Sequence, residues 1–281
     1  MCSYNPKIDL VFRKLFGSEE NVDLLLSFLN AILEKEMKLE RLEIKNPYNF
    51  ATYVTGKTSI LDIKAVDEQG IWYDIEMQIA EQGFYGKRAL YYWGKVYTDQ
   101  VEKAESFAKL KKTIGIHLLD FNYFQDERYL RRVVLKDFDS NQIYFELDYE
   151  ELYFIEMSKF QKGYQELKTV LDRWLVFMNK AYELNRNNLP VELRQEQEIS
   201  KAVEKLEIMH FTEQERELYE AERKFRMNHQ EETRTAEEKG IIKGEKRASR
   251  KIAQEMLHKG IQLELIAEVT GLTLEELVNM K

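Results

Sequence analysis

The segment Ser59-Ile-Leu-Asp-Ile-Lys-Ala-Val-Asp-Glu-Gln-Gly-Ile-Trp-Tyr-Asp-Ile-Glu-Met-Gln78 decides the fold of this 281-residue chain. Residues 59–66 and 71–79 both alternate between apolar and polar side chains, and this period of two is typical of β-strands. A three-residue loop that ends in glycine is a favoured hairpin connection, because glycine adopts the left-handed conformation that closes the turn. Placing Gly70 there predicts a hairpin whose loop is Glu68, Gln69 and Gly70.

This loop also fixes which residues face each other across the hairpin. One face of the two strands becomes apolar, and the other face carries most of the polar side chains. Three opposed pairs define the polar face: Asp62 with Glu76, Lys64 with Asp74, and Ile60 with Gln78.

The opposition of Asp62 and Glu76 is the chemically unusual feature of this face. Opposed β carbons lie about 4.5 to 5.5 Å apart, and two carboxylates at such a distance repel by roughly 3 to 4 kcal/mol at an effective dielectric near 20. A partly buried pair therefore needs a proton or a cation, and its hard oxygens suit Mg²⁺ or Mn²⁺. The alternative is an edge hairpin with a solvated polar face. Lys64 opposite Asp74 fits that alternative, whereas Asp62 opposite Glu76 does not.

The first 185 residues have the pattern of a mixed α/β domain. Helices are predicted over residues 7–16, 21–34, 86–108 and 166–184. Further strands are predicted over residues 113–119, 129–135, 143–147 and 152–156.

The composition changes near Pro190. Residues 186–281 contain 17 Lys and Arg, 20 Glu and no Asp, which predicts an all-helical tail because Glu, Lys and Arg favour helix interiors whereas Asp favours turns and caps. We expect a domain over residues 1–185, a charged helical region or linker over residues 186–250, and a small helical segment over residues 251–281. Residues 237–251, with Gly240 and Gly244, fit either a loose helix or a linker.

The last segment has the spacing of a helix-turn-helix over residues 263–277. Its second helix carries Glu275 and Glu276 where phosphate-facing groups are expected. This favours a protein contact, such as a homo-oligomer formed through the C-terminal helices, over direct DNA reading.

Composition excludes several classes of protein. The net charge of -8 argues against a non-specific nucleic-acid binder, and the single cysteine, Cys2, allows neither an internal disulfide nor a Cys-based zinc cluster. We find neither a signal peptide nor an apolar run of membrane-spanning length, and therefore expect a cytoplasmic protein without a membrane partner. The four histidines have no metal-ligand spacing.

Several ordered blocks of the chain resemble the recombination-promoting nuclease/transposase family of the PD-(D/E)XK nuclease superfamily. Asp62, a hairpin and then Glu76-Met-Gln78 are similar to the Asp and Glu-x-Lys/Gln signature of that superfamily. The other blocks are Asp9-Leu-Val-Phe-Arg-Lys-Leu-Phe-Gly17, Leu61-Asp-Ile-Lys-Ala65, Arg88-Ala-Leu-Tyr-Tyr-Trp93 and residues 260–271. The resemblance implies an α/β restriction-endonuclease-like core, a mixed sheet flanked by helices, followed by an all-helical C-terminal tail.

The same resemblance implies a Mg²⁺-dependent (or Mn²⁺-dependent) DNA endonuclease associated with transposition and recombination of mobile DNA. Asp62, Glu76 and the backbone carbonyl of Met77 would hold the metal. Gln78 would take the place of the motif lysine, and Asp9 would match an additional acidic catalytic residue. The reaction would be in-line attack of a metal-activated water on a phosphodiester.

Lys14, Arg88 and Tyr92 are the candidates for contact with DNA phosphates. Gln78 departs from the broad superfamily pattern, because glutamine orients a water by hydrogen bonding but supplies no charge. It therefore keeps an alternative open. In that alternative the chain is a catalytically silent relative that acts as a DNA- or protein-binding regulatory module through its helical tail.

Overall fold

The structure, a computed structural model, describes residues 4–34, 38–46, 48, 62–80 and 83–280. The chain divides into two compact units, Met1–Arg223 and Lys224–Lys281. The boundary that composition places near residue 185 falls inside the first unit. No helix of the described ranges combines the length and the apolar character needed to cross a membrane.

The first unit is built on a mixed sheet, which in the described residues has six strands in the order β1-β2-β3-β4-β6-β5. The strands are β1 (Leu42–Ile44), β2 (Ile63–Asp67), β3 (Trp72–Gln78), β4 (Thr113–Leu119), β5 (Leu130–Val134) and β6 (Glu150–Glu156). β3, β4 and β6 run parallel, and the other pairings are antiparallel. β4 has the predicted bounds, whereas β1 was not predicted.

The strand predicted over residues 143–147 is wrong. A short 3-10 turn, Phe145–Leu147, lies there instead. The side chains of Ile143, Tyr144 and Phe145 are exposed, so this apolar run has no core to face and no strand beside it in the sheet order.

The predicted hairpin register is confirmed where it can be followed. Ile63 pairs with Ile75 and Lys64 with Asp74, and Gly70 closes the loop at φ +82°, a conformation that a residue with a side chain adopts at a cost. Residues 59–61, and with them the expected pairing of Ile60 with Gln78, lie outside the described residues.

The helices of the described ranges are α1 (Asp9–Phe16), α2 (Val22–Leu33), α3 (Tyr85–Thr98), α4 (Val170–Lys180), α5 (Val191–Arg194), α6 (Gln197–Ile208), α7 (Glu213–His258), α8 (Leu263–Thr270) and α9 (Leu274–Val278). α1 and α2 are each two residues shorter than predicted, and α3 and α4 differ more. α3 ends ten residues early because the side chain of Gln100 binds the backbone N–H and C=O of Lys111 and turns the chain back. α4 begins only after Thr169, whose hydroxyl caps the helix by accepting the N–H of Asp172.

Helices cover both faces of the sheet. The apolar face of the hairpin, with Ile63, Tyr73 and Ile75, lies in a large core with α1, α2, α4 and α6. The opposite face is covered by α3, which contacts β3 and β4. β3 is therefore a central strand, and the alternative of an edge hairpin with a solvated polar face is wrong. The expected mixed sheet flanked by helices is confirmed.

The first helices of the charged tail complete this core. Five of their side chains are buried in it: Leu193, Ile199, Ala202, Val203 and Leu206. This burial is why the first compact unit extends beyond residue 185.

The second unit is helical. Residues 237–251 belong to α7, a helix of 46 residues that begins in the first unit. The last turns of α7 form a small core with α8 and α9, in which Ala253, Ile266 and Leu277 are buried. Gly271, at φ +67°, ends α8 and begins the turn to α9.

Candidate active site

Asp62 and Glu76 meet at the polar face of the central hairpin, as their predicted opposition requires. The backbone N–H of Asp62 donates to Oε1 of Glu76 over 3.2 Å, and the N–H of Met77 donates to Oδ2 of Asp62 over 2.6 Å. Both carboxylates are buried. The Met77 side chain points into the apolar core. The two strands thus hold two acidic side chains together through backbone donors.

Arg13, which the sequence analysis did not single out, links this pair to Asp9. Its Nε lies 2.8 Å from Oδ1 of Asp9, and its Nη2 lies 2.6 Å from Oδ1 of Asp62. Arg13 follows Asp9 by one turn of α1, so their pairing could have been predicted from the helical spacing. The contact with Asp62 joins α1 to the hairpin across 49 residues of sequence and could not.

Burial governs the electrostatics of the pair. It raises the pKa of Asp62 well above its usual value, and the neighbouring Asp9 and Glu76 raise it further, while Arg13 lowers it. Burial likewise raises the pKa of Glu76 to about 7, opposed by the N–H of Asp62 and by Arg88 and Arg13. Holding both groups ionised therefore requires positive charge beside them.

Gln78 and Arg88 reach the outer oxygen of Glu76. Nε2 of Gln78 donates to Oε2 over 3.1 Å, and Nη2 of Arg88 lies 4.0 Å from the same oxygen. The guanidinium of Arg88 also lies over the ring of Tyr92, 5.2 Å from its centroid. Tyr92 is buried with Val96, so its ring packs against the guanidinium of Arg88 and is not exposed to solvent.

The side chain of Lys14 contacts the start of α7. Its ammonium binds Oε1 of Glu215 over 2.7 Å and the carbonyl of His210 over 2.9 Å. Glu215 is buried and also accepts the hydroxyl of Tyr48, so it needs this countercharge. In this structure Lys14 links the start of α7 to α1, and its contact with a DNA phosphate stays a prediction.

Comparison with known families identifies the family of this chain. The sequence model of the family described as PD-(D/E)XK nuclease family transposase matches residues 6–236. The chain belongs to this family. The model described as Rpn/YhgA-like nuclease family, C-terminal HTH domain, matches residues 246–281, so the resemblance to recombination-promoting nucleases is confirmed. Neither a search of curated proteins nor one of solved structures finds a match.

Two further buried groups of this PD-(D/E)XK nuclease family transposase lie on the same face of the sheet. Asp74 is fully buried, and neither of its oxygens accepts a hydrogen bond. Burial and the nearby Glu76 raise its pKa well above the usual value. The charge of the opposed Lys64 lowers the pKa of Asp74 in part, but its ammonium lies 3.7 Å from Asp99 and gives Asp74 no hydrogen bond.

His117 is the second buried group, and it stands beside Glu76 on the neighbouring strand β4. Its Nδ1 lies 3.0 Å from the hydroxyl of Tyr85, while its Nε2 has no hydrogen-bond partner. Burial lowers its pKa to about 3, so the ring is neutral. The scatter of histidines along the sequence gave no signal for this position.

The acidic pair fits a cation that keeps most of its own water. Among the described residues, no three His, Cys, Asp or Glu side chains lie close enough to hold a metal ion by themselves. Mg²⁺ is usually bound through one or two carboxylates, several waters and substrate phosphates. Asp62 and Glu76 supply two such carboxylates, and Asp9 is held nearby through Arg13.

Proposed function

We propose that this PD-(D/E)XK nuclease family transposase is a Mg²⁺-dependent or Mn²⁺-dependent DNA endonuclease whose centre comprises Asp9, Asp62, Glu76 and Gln78. The observation that carries the proposal is the buried pair of carboxylates, Asp62 and Glu76, held together by backbone N–H groups. Such a pair is costly without a partner cation, and it lies at the family's signature residues.

Each side chain has a distinct role in this proposal. Asp62 and Glu76, with the backbone carbonyl of Met77, hold the divalent cation, which when bound activates a water and offsets charge on the phosphate. Gln78 donates to Glu76 and orients it without adding charge. Arg88, 4.0 Å from Glu76, supplies the positive charge that the motif lysine of the broad superfamily would supply.

The acidic composition is compatible with a DNA substrate. A net charge of -8 lowers the non-specific affinity for DNA, but the bound cation reverses the sign of charge at the acidic pair. We therefore expect DNA to be held at the site more than over the surface at large.

The test is a nicking assay with the full chain, supercoiled plasmid and Mg²⁺. Asp62→Asn and Glu76→Gln remove one ligand charge each at nearly constant shape. We expect each to lower the nicking rate by about 100-fold or more. The matched control is Glu217→Gln, which changes the same chemical group at an exposed position and should nick at the rate of the unaltered protein.

Equal nicking by all four proteins would refute the assignment of the site. An inactive but folded protein that also gives no heat on titration with Mn²⁺ would favour the second candidate, a catalytically silent binding module. Gln78 is the residue that favours this second candidate, because an uncharged side chain stands where the motif has lysine.

We further propose that the second unit mediates self-association. Its helices expose apolar side chains at one-turn intervals, Leu265 and Val269 on α8 and Leu274 and Val278 on α9. α8 and α9 carry only acidic charges, while residues 239–251 of α7 carry six basic residues and one acidic one. A second copy of the chain offers both the apolar and the complementary charged surface.

A further inference from the structure

Each carboxylate oxygen of Asp62 accepts a hydrogen bond from the protein. Oδ2 accepts the N–H of Met77 over 2.6 Å, and Oδ1 accepts Nη2 of Arg13 over 2.6 Å. The N–H of Met77 belongs to the backbone of β3, so it cannot move away from Oδ2 without disturbing the hairpin. A cation that binds Oδ1 of Asp62 would therefore lie against the guanidinium of Arg13, whose positive charge and hydrogen bond both oppose it.

The guanidinium of Arg13 has the shape and charge to oppose such a cation. Its guanidinium is planar and forked, so it can bind two carboxylates at once with charge-assisted hydrogen bonds. The second carboxylate is that of Asp9, one helical turn away. The Asp9 side chain is 33% exposed and that of Asp62 only 6%. The ion pair of Arg13 with Asp9 therefore lies nearer the surface, and it can persist when the ion pair of Arg13 with Asp62 breaks.

The charges of the site are nearly balanced by this arrangement. Among the described ion pairs of the site, Asp9, Asp62 and Glu76 face the guanidinium groups of Arg13 and Arg88, which leaves one formal negative charge when all three carboxylates are ionised. Adding a divalent cation turns this into one formal positive charge, which matches the single negative charge of a phosphodiester. Without the arginines the same cation would leave the site negative.

We propose that Arg13 is a positioning residue that serves as the resident counterion of Asp62 and exchanges this role with the divalent cation. Arg13 keeps the buried carboxylate ordered in the metal-free protein and weakens cation binding by competing for Oδ1. It stays tied to Asp9 after the exchange, beside the phosphate. This inference rests on the metal site proposed above.

The experiment measures Mn²⁺ binding by calorimetry, and the rise in melting temperature caused by Mn²⁺, in the full chain. Arg13→Met removes the guanidinium while keeping most of the stem. We expect its metal-free form to melt lower than the unaltered protein, and to bind Mn²⁺ about tenfold more tightly or better, because the competing charge-assisted contact is gone. Asp62→Asn should lose Mn²⁺ binding.

Arg173→Met is the matched control. Arg173 is a largely buried arginine of α4 whose guanidinium binds Gln195 and Glu196, away from the acidic pair. Its loss should lower the melting temperature without changing the Mn²⁺ affinity. A purely structural role for Arg13 predicts the same behaviour for Arg13→Met, so unchanged or weaker Mn²⁺ binding in that variant overturns the proposal.

Arg13→Lys covers the case in which Arg13→Met does not fold. Lysine keeps the charge but is a single point donor that cannot bridge two carboxylates, so Mn²⁺ should bind more tightly than to the unaltered protein, by a smaller factor. Unchanged or weaker binding would again overturn the exchange. Absence of Mn²⁺ binding in every protein, the unaltered chain included, would instead refute the metal site itself.

Discussion

His117 shows how strongly burial sets the charge state of a single residue in this molecule. The ring is fully buried on the central strand β4, between Tyr85 and Phe154. Burial lowers its pKa to about 3, so folding requires the neutral ring. The adjacent Gly115 leaves the room that it needs, because a β carbon there would lie 3.1 Å from Nε2 of His117 and 2.7 Å from a methyl group of Leu152.

This burial predicts a loss of stability in mild acid. The unfolded chain gains a proton as the pH falls below about 6.5, whereas the folded ring does not until the pH approaches 3. Stability from this residue is thus complete above pH 6.5 and is lost as the pH falls. Between pH 7 and pH 5 the free energy of unfolding should therefore fall by about 2 kcal/mol less in His117→Gln than in the unaltered protein.

Urea unfolding followed by tryptophan fluorescence measures this effect, because Trp72, Trp93 and Trp174 all lie in the first unit. His210→Gln, a change at an exposed histidine of the same unit, is the control and should follow the unaltered protein. A pH dependence that is the same in all three proteins would contradict the prediction.

For single residues, the sequence pattern predicted the contacts within one hairpin but not the contacts between distant segments. The opposition of Asp62 and Glu76 followed from a loop and a period of two. The contacts of Arg13 with Asp62 and of Lys14 with Glu215 join segments 49 and 201 residues apart. Such pairings depend on how helices pack on the sheet, which the sequence pattern does not specify.

Among the elements, those with a strong local signal were predicted best. The strand β4 is buried along its whole length, and its continuous apolar run has the predicted bounds. β1 has only three residues, and it forms because β2 offers an edge with which it can pair. Residues 143–147 are the opposite case, since a strand-like composition finds no neighbour in the sheet.

α7 supports a prediction about two glycines. Gly240 and Gly244 lie inside this helix, and a β carbon at either would meet no atom within 4 Å among the described contacts. Alanine therefore adds helix propensity without a clash. We expect Gly240→Ala and Gly244→Ala each to stabilise the helix by about 0.5 to 1 kcal/mol and to raise its melting temperature in far-ultraviolet circular dichroism.

Gly271→Ala is the matched control for the two glycines. Gly271 has φ +67° at the end of α8, where a side chain is strained, so alanine should lower stability there. If residues 237–251 formed a linker instead of a helix, alanine at 240 or 244 would leave the helical signal unchanged.

At the scale of the whole molecule, composition located a real change in the chain but not the limit of the fold. The Asp-poor, Glu-rich tail is helical as expected. Its first helices nevertheless complete the core of the first unit, because the apolar stripe of α6 packs against α2. The charged residues of such a helix lie on its solvent-facing side, so charge composition does not indicate whether the other side is buried in a core.

This difference predicts where the chain can be shortened. A chain ending at Arg223 keeps α5, α6 and the part of α7 that carries Glu215 and Tyr219, so we expect a cooperative unfolding transition by tryptophan fluorescence. A chain ending at Leu189 loses three large buried aliphatic side chains, Leu193 of α5 and Ile199 and Leu206 of α6. Each such loss costs about 2 to 5 kcal/mol, which together is as large as a typical total stability of about 5 to 15 kcal/mol, so this shorter chain should not fold.

The chain ending at Arg223 also separates the two proposed activities. If the acidic pair is the nuclease centre, the shortened protein should still bind Mn²⁺, because Asp9, Asp62 and Glu76 all remain. If residues 224–281 mediate self-association through their exposed apolar and complementary charged surfaces, sedimentation should give a smaller subunit number for this protein than for the full chain. An equal subunit number would place the association surface in the first unit. There the exposed apolar run around Phe138 and Phe145, next to the edge strand β5, would be the surface to test.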